Sequence, residues 1–154
     1  MPLGRQAKIL TAKQQSLLLQ HVTEGRHPER ARVIALLSFK AGLRAKEIAL
    51  LSWLMVTNSD KRNGRVVVYS ERGKSMTAAR IVNWFPRTYA TMGLEGCSSH
   101  SGRRTFVTAA ARKIAQAGGS LRDVQQLAGH RDLSTTQAYI GGSSDAKRRV
   151  IDLL

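Results

Sequence analysis

Leu127-Ala128-Gly129-His130-Arg131-Asp132-Leu133-Ser134-Thr135-Thr136-Gln137-Ala138-Tyr139-Ile140 joins two helical patterns through one glycine. Upstream, Ser120 and Asp123 stand three residues apart, the spacing of a capping box, which predicts a helix from there through Ala128 with Gly129 as its left-handed stop. A shorter helix is expected after Asp132. It would carry Tyr139, and Gly141-Gly142 would end it. Residues 144–154 read as one more amphipathic helix, with Val150, Ile151, Leu153 and Leu154 apolar and Lys147, Arg148 and Arg149 basic, a candidate partner element.

Working back from that stretch, the chain stays mostly helical. Thr11 is a good N-cap for a helix over 12–22 with Leu17, Leu18, Leu19 and Val22 on one stripe. Gly25, His27 and Pro28 break it. Apolar residues at helical spacing, Val33, Ile34, Leu36, Leu37 and Phe39, predict a second helix over 29–41 that ends at Gly42, and a short one follows over 45–51. Residues 77–92 form another, in which Pro86 should kink or divide the helix before Gly93 stops it. An alanine-rich helix is expected over 105–117, closed by Gly118-Gly119. The texture changes only around Val66-Val67-Val68-Tyr69, a β-branched run flanked by Asn58-Ser59-Asp60 and Asn63-Gly64, which reads as a small strand pair. The expected fold class is therefore mainly α with a small antiparallel β element, built as a single domain over 1–154.

Charge narrows the function. The 154 residues carry 25 Lys+Arg against 10 Asp+Glu, a formal charge of +15, and the basic residues are 17 arginines and 8 lysines. Such a surface attracts polyanions, and guanidinium grips phosphate oxygens in pairs where ammonium acts as a point charge. With only eight aromatic residues, a broad single-strand stacking platform has little to build with, so duplex DNA is the expected partner. The lone Cys97 cannot close an intramolecular disulfide, which excludes a stapled secreted scaffold and points to a reducing, cytoplasmic setting near the nucleoid. No apolar run approaches the roughly 20 residues of a membrane helix, and the start of the chain has no apolar signal core. No membrane and no small-molecule substrate are expected.

Metal chemistry finds no support in spacing, since His21, His27, His100 and His130 lie far apart in the sequence. The candidates that remain attract phosphate and stand near expected helix starts: Arg44 after Gly42-Leu43, then His100-Ser101-Gly102-Arg103, then Gly129-His130, then Tyr139. Taken singly each has an ordinary explanation, a solvated loop charge for Arg44 or a half-buried core aromatic for Tyr139.

Their order and spacing resemble the phage integrase, or tyrosine recombinase, family from Ala7 onward. The likeness rests on Ala41-Gly42-Leu43-Arg44-Ala45-Lys46-Glu47-Ile48, on Ser99-His100-Ser101-Gly102-Arg103-Arg104-Thr105-Phe106, and on the 127–140 stretch. The resemblance implies a catalytic-domain-like fold with a shortened β-hairpin region and no N-terminal core-binding domain. It implies that Arg44 and Arg103 clamp the scissile phosphate, that His100 and His130 hydrogen-bond it, that Glu47 is a buried acidic support behind Arg44, and that Tyr139 is the nucleophile. The expected activity is cutting and rejoining of duplex DNA through a 3′-phosphotyrosyl link, with no cofactor and no metal and with self-association on DNA. The family's hairpin lysine, its general acid, has no clear counterpart in the short interval from Trp53 to His100; Lys74 and Lys61 are the substitutes to consider. Lys46, Arg104 and Arg112 are further DNA-contact candidates. Two other readings are a DNA-binding remnant or accessory factor that has lost strand exchange, and a helix-turn-helix regulator built around Gly118-Gly119. The last leaves Tyr139 unexplained.

Overall fold

The computed structural model describes residues 7–51, 66–71 and 73–139. These comprise seven α-helices and a 3-10 turn: α1 (Ala12–Thr23), α2 (Pro28–Phe39), α3 (Ala45–Leu50), α4 (Ala78–Thr91), α5 (Ser101–Lys113), the 3-10 turn Ile114–Ala117, α6 (Leu121–Leu127) and α7 (Leu133–Gln137). Two compact units divide the chain, Met1–Phe106 and Val107–Leu154, with the division inside α5.

Local chemistry explains most boundaries. Thr11 opens α1 as half of a full capping box with Gln14, its hydroxyl accepting the Gln14 N–H at 3.2 Å and the Gln14 side chain accepting the Thr11 N–H at 2.9 Å. Pro28 occupies the first turn of α2, where its missing N–H costs nothing. In the first unit, Leu18 and Val22 of α1, Ile34 and Phe39 of α2, Ile48 of α3 and Ile81, Phe85 and Tyr89 of α4 form one buried cluster with Leu10 and Val68. Each such side chain contributes about 1.5–3 kcal/mol when fully buried. The second unit is smaller; Val107 and Val124 are its fully buried apolar side chains among the described residues.

Four expectations change. No strand is formed among the described residues: Tyr69 makes an isolated antiparallel bridge to Ser75 across a turn at Gly73 (φ +68°), and Val66 stands at a second bridge position. Tyr69 and Ser75 are joined by a turn in which the Ser70 N–H donates to the Lys74 carbonyl at 2.7 Å, the Met76 N–H donates to the Val68 carbonyl at 3.1 Å, and the Val67 N–H donates to the Leu51 carbonyl at 2.7 Å. The flanking turns at 58–60 and 63–64 lie outside the described residues, as do Lys61 and the 144–154 helix. Pro86 does not divide α4; it and Val82, whose carbonyl loses its helical partner, both lie on the exposed side, where water can serve that carbonyl. α5 begins at Ser101, not 105, because packing overrides the weak helix propensity of Ser101-Gly102. Gly102 presses on α2 so closely that a Cβ there would lie 2.8 Å from the Ser38 Cβ. Finally, Tyr139 follows α7 instead of riding on it, because the helix closes at Ala138, whose N–H turns back to Ser134 and Thr136.

Candidate active site

In the first unit the candidate residues gather around Glu47. Gly42 has φ +67°, and a Cβ there would meet the Phe106 ring, with Cγ at 2.9 Å, so only glycine makes the turn between α2 and α3. Its carbonyl accepts the Arg103 Nη1 at 2.6 Å. Arg103 is 5% exposed, with the same nitrogen 3.9 Å from Glu47 Oε2. Arg44 is the N-cap of α3; its backbone N–H donates to Glu47 Oε2 at 2.6 Å and its Nη1 to Oε1 at 2.7 Å. One carboxylate therefore serves two guanidiniums and also caps its own helix. Glu47 is half-buried, not fully buried as the resemblance implies. Burial pushes its carboxyl up, but the Arg44 N–H, the Arg44 guanidinium and the charge of Arg103 outweigh that and hold it below 4.5. Two guanidiniums beside one carboxylate are groups of the kind that bind phosphate oxygens.

His100 stands just ahead of α5, exposed, with its carbonyl accepting the Arg104 N–H at 2.9 Å. Lys46 is exposed on α3, Arg104 is half-buried on α5 and Arg112 is exposed near the end of α5. Lys74 is exposed in the turn after Gly73, its carbonyl accepting from both the N–H and the hydroxyl of Ser70.

In the second unit His130 and Tyr139 come together. Neither stands at a helix start, contrary to the sequence expectation. α6 ends in a left-handed closure at Gly129 (φ +57°), where the Gly129 N–H donates to Gln126 and the His130 N–H to Gln125. The Gln125 side chain, buried on α6, then donates to the carbonyls of His130 at 3.0 Å and Arg131 at 2.9 Å, pinning the loop. His130 is 8% exposed and its Nδ1 lies 2.9 Å from the hydroxyl of the fully buried Thr136. Its ring stacks on Tyr139, with centroids 5.5 Å apart and planes 24° apart. Tyr139 is half-buried, tied by its carbonyl to the Thr108 hydroxyl at 3.4 Å. The other two described tyrosines lie elsewhere. Tyr89 is in the core, where burial first and the nearby Cys97 second push its phenol above its ordinary 10, and Tyr69 sits in the bridge turn.

Gln125 and Thr136 are the supports that sequence reasoning did not single out. Each stands in or beside the 127–140 motif, and Thr136 within Ser134-Thr135-Thr136 is the polar residue a buried histidine needs.

The sequence profile of the phage integrase family matches residues 52–144, more than half of the chain, and the chain belongs to that family. Among curated relatives, tyrosine recombinase XerC of Corynebacterium glutamicum is 32% identical over 91 residues, 59% of this chain and 28% of that one. XerC of Actinobacillus pleuropneumoniae serotype 7 is 35% identical over 99 residues, 64% of this chain and 31% of that one. The chain thus spans about 30% of the length of these relatives in the matched regions. Among solved structures, the Tn1549 transposon integrase in complex with a circular intermediate DNA aligns over 97% of this chain and 66% of that one, with a TM-score of 0.70 at 15% identity. That likeness establishes a recombinase catalytic fold. No described helix is long and apolar enough to cross a membrane.

Proposed function

We propose that this chain is a metal-independent catalytic module of a site-specific tyrosine recombinase, acting on duplex DNA by transesterification. The observation that carries this reading is the Arg44–Glu47–Arg103 cluster, in which a buried guanidinium and an exposed one share a single carboxylate. Arg44 and Arg103 are assigned to the non-bridging oxygens of the scissile phosphate, where charge accumulates during attack, and His100 and His130 to hydrogen bonds with it. Donors already fixed in place need no reorganisation as that charge develops.

Tyr139 is assigned as nucleophile. Its phenolic oxygen forms a bond to phosphorus, losing its proton, as the bond to the 5′ oxygen breaks; that oxygen takes the electron pair and must gain a proton. The result is a 3′-phosphotyrosyl link and a 5′ hydroxyl, and attack by a 5′ hydroxyl reverses the step and rejoins the strand. Lys74 is the described candidate for the acid. Lys46, Arg104 and Arg112 are assigned to the backbone of the duplex, and copies of the chain to association on that DNA.

A nicked suicide duplex, from which the cleaved 5′ end diffuses away, tests the reading. The expected product is a denaturant-resistant protein–DNA adduct that Tyr139→Phe abolishes while melting temperature holds. Salt-sensitive binding with no adduct from the unaltered chain would overturn it in favour of a binding remnant.

A further inference from the structure

α4 carries a second chemistry on the side away from the core. Ile81, Phe85 and Tyr89 face inward, whereas Arg80, Asn83, Trp84 and Arg87 recur at i, i+3, i+4 and i+7 and so share one face. That face forms the wall of a cleft of about 480 Å³, with Arg30 of α2 on its lining and buried Met76 beneath. Arg30 is fixed by donating Nη1 to the Tyr69 carbonyl at 3.0 Å. Among the described residues, the guanidiniums of Arg80 and Arg87 have no hydrogen bond or ion pair. The one acid on the lining, Glu71, is already engaged, with His27 Nε2 at 2.9 Å and Arg26 Nη1 at 3.6 Å. Three guanidiniums thus face one carboxylate that is paired elsewhere.

Trp84 decides what kind of anion fits. It is half-buried and meets Phe85 edge-to-face at 4.9 Å, so the indole is held in place, and no described ring is stacked parallel on it. Seven residues of helix separate Arg80 from Arg87 by roughly 10 Å along the axis, with Trp84 between them. Two phosphates flanking one base stacked on the indole match that order of charge, ring and charge. A duplex keeps its base faces inside the stack, where none can lie on the indole.

We infer that the Arg30–Arg80–Trp84–Arg87 cleft binds an unpaired nucleic-acid strand, through stacking on Trp84 and phosphate contacts from the arginines, apart from the Arg44–Arg103 cluster. This site does not depend on the chemistry assigned to Tyr139. The chain's two tryptophans are Trp53 and Trp84, so a Trp53→Phe chain reports the cleft by its own fluorescence. Titration with a twelve-nucleotide oligo-dT strand should quench it. Arg80→Ala/Arg87→Ala should weaken binding at least tenfold and reduce the salt slope by about 1.4, two phosphates at about 0.7 each. Trp84→Ala should weaken it about tenfold as well. Arg44→Ala should leave the quenching curve unchanged. Labelled oligo-dT anisotropy on the chain with both tryptophans repeats the comparison if Trp53→Phe fails to fold. Absence of binding, equal quenching by the matching duplex, displacement of the strand by a short poly-glutamate peptide at equal charge, or equal loss in Arg44→Ala would each overturn the inference.

Discussion

Arg103 and His130 are buried almost equally, at 5% and 8% exposed, yet they are held by different physics. Arg103 is fixed by a carbonyl and by a carboxylate it shares with another cation, so its position rests on charge. His130 meets a hydroxyl and a ring stacked against it, both uncharged contacts. The comparison teaches that the charged cluster of the first unit should respond to acid and to charge reversal, and the His130–Tyr139 pair of the second to shape and single hydrogen bonds.

The strongest way to break that contrast is Arg103→Ala. It leaves the Gly42 carbonyl without this donor and Glu47 without one of its two cations, so stability should fall by about 1–3 kcal/mol. Adduct formation should fall about 10²–10³-fold, the usual cost of removing one donor from a charge-stabilising site. Thermal melting and single-turnover cleavage read the two effects. If Arg103→Lys restores melting but not cleavage, the planar fork matters and not charge alone.

Thr136→Val sharpens the other half. It keeps the volume of a fully buried side chain but removes the hydroxyl facing His130 Nδ1. The expected cost is about 1 kcal/mol in stability, with a roughly tenfold slower adduct. The smallest effect belongs to Glu47→Gln. Because the Glu47 pKa is lowered on folding, its carboxylate contributes stability above about 4.5 that fades as pH falls through the lowered value. Glu47→Gln should therefore melt earlier than the parent at neutral pH, and the two melting curves should approach each other in acid. Its partly exposed position keeps that difference small.

How far this could be read from sequence varies with the kind of force involved. Local signals held: the Thr11 cap, the Ser120–Asp123 pair and the Gly129 stop are short-range devices, and the helices begin and end near them. Long-range packing was invisible, which is why the start of α5 was misplaced: nothing in Ser101-Gly102 shows that Ser38 waits against it. The β-branched run at 66–69 pairs through single bridges and forms no strand among the described residues, because the segment it meets at Ser75 follows it directly through a tight turn. Among the candidate site residues, order along the chain was enough to nominate Arg44, Arg103, His130 and Tyr139. The cleft beside Trp84 was missed because its arginines match no motif; only the shared face of α4 gathers them.

Gly42 brings no side chain to any of this, yet the Arg44–Glu47–Arg103 cluster is built around it. Its left-handed backbone and the aromatic ring occupying the space of its absent side chain are two separate demands met by one hydrogen atom, and its carbonyl seats Arg103. A substitution there meets both objections at once, and the strain it puts on the backbone falls on the same residue whose carbonyl holds Arg103. Surveys that replace only polar and charged residues would pass over the position that governs where the guanidinium points.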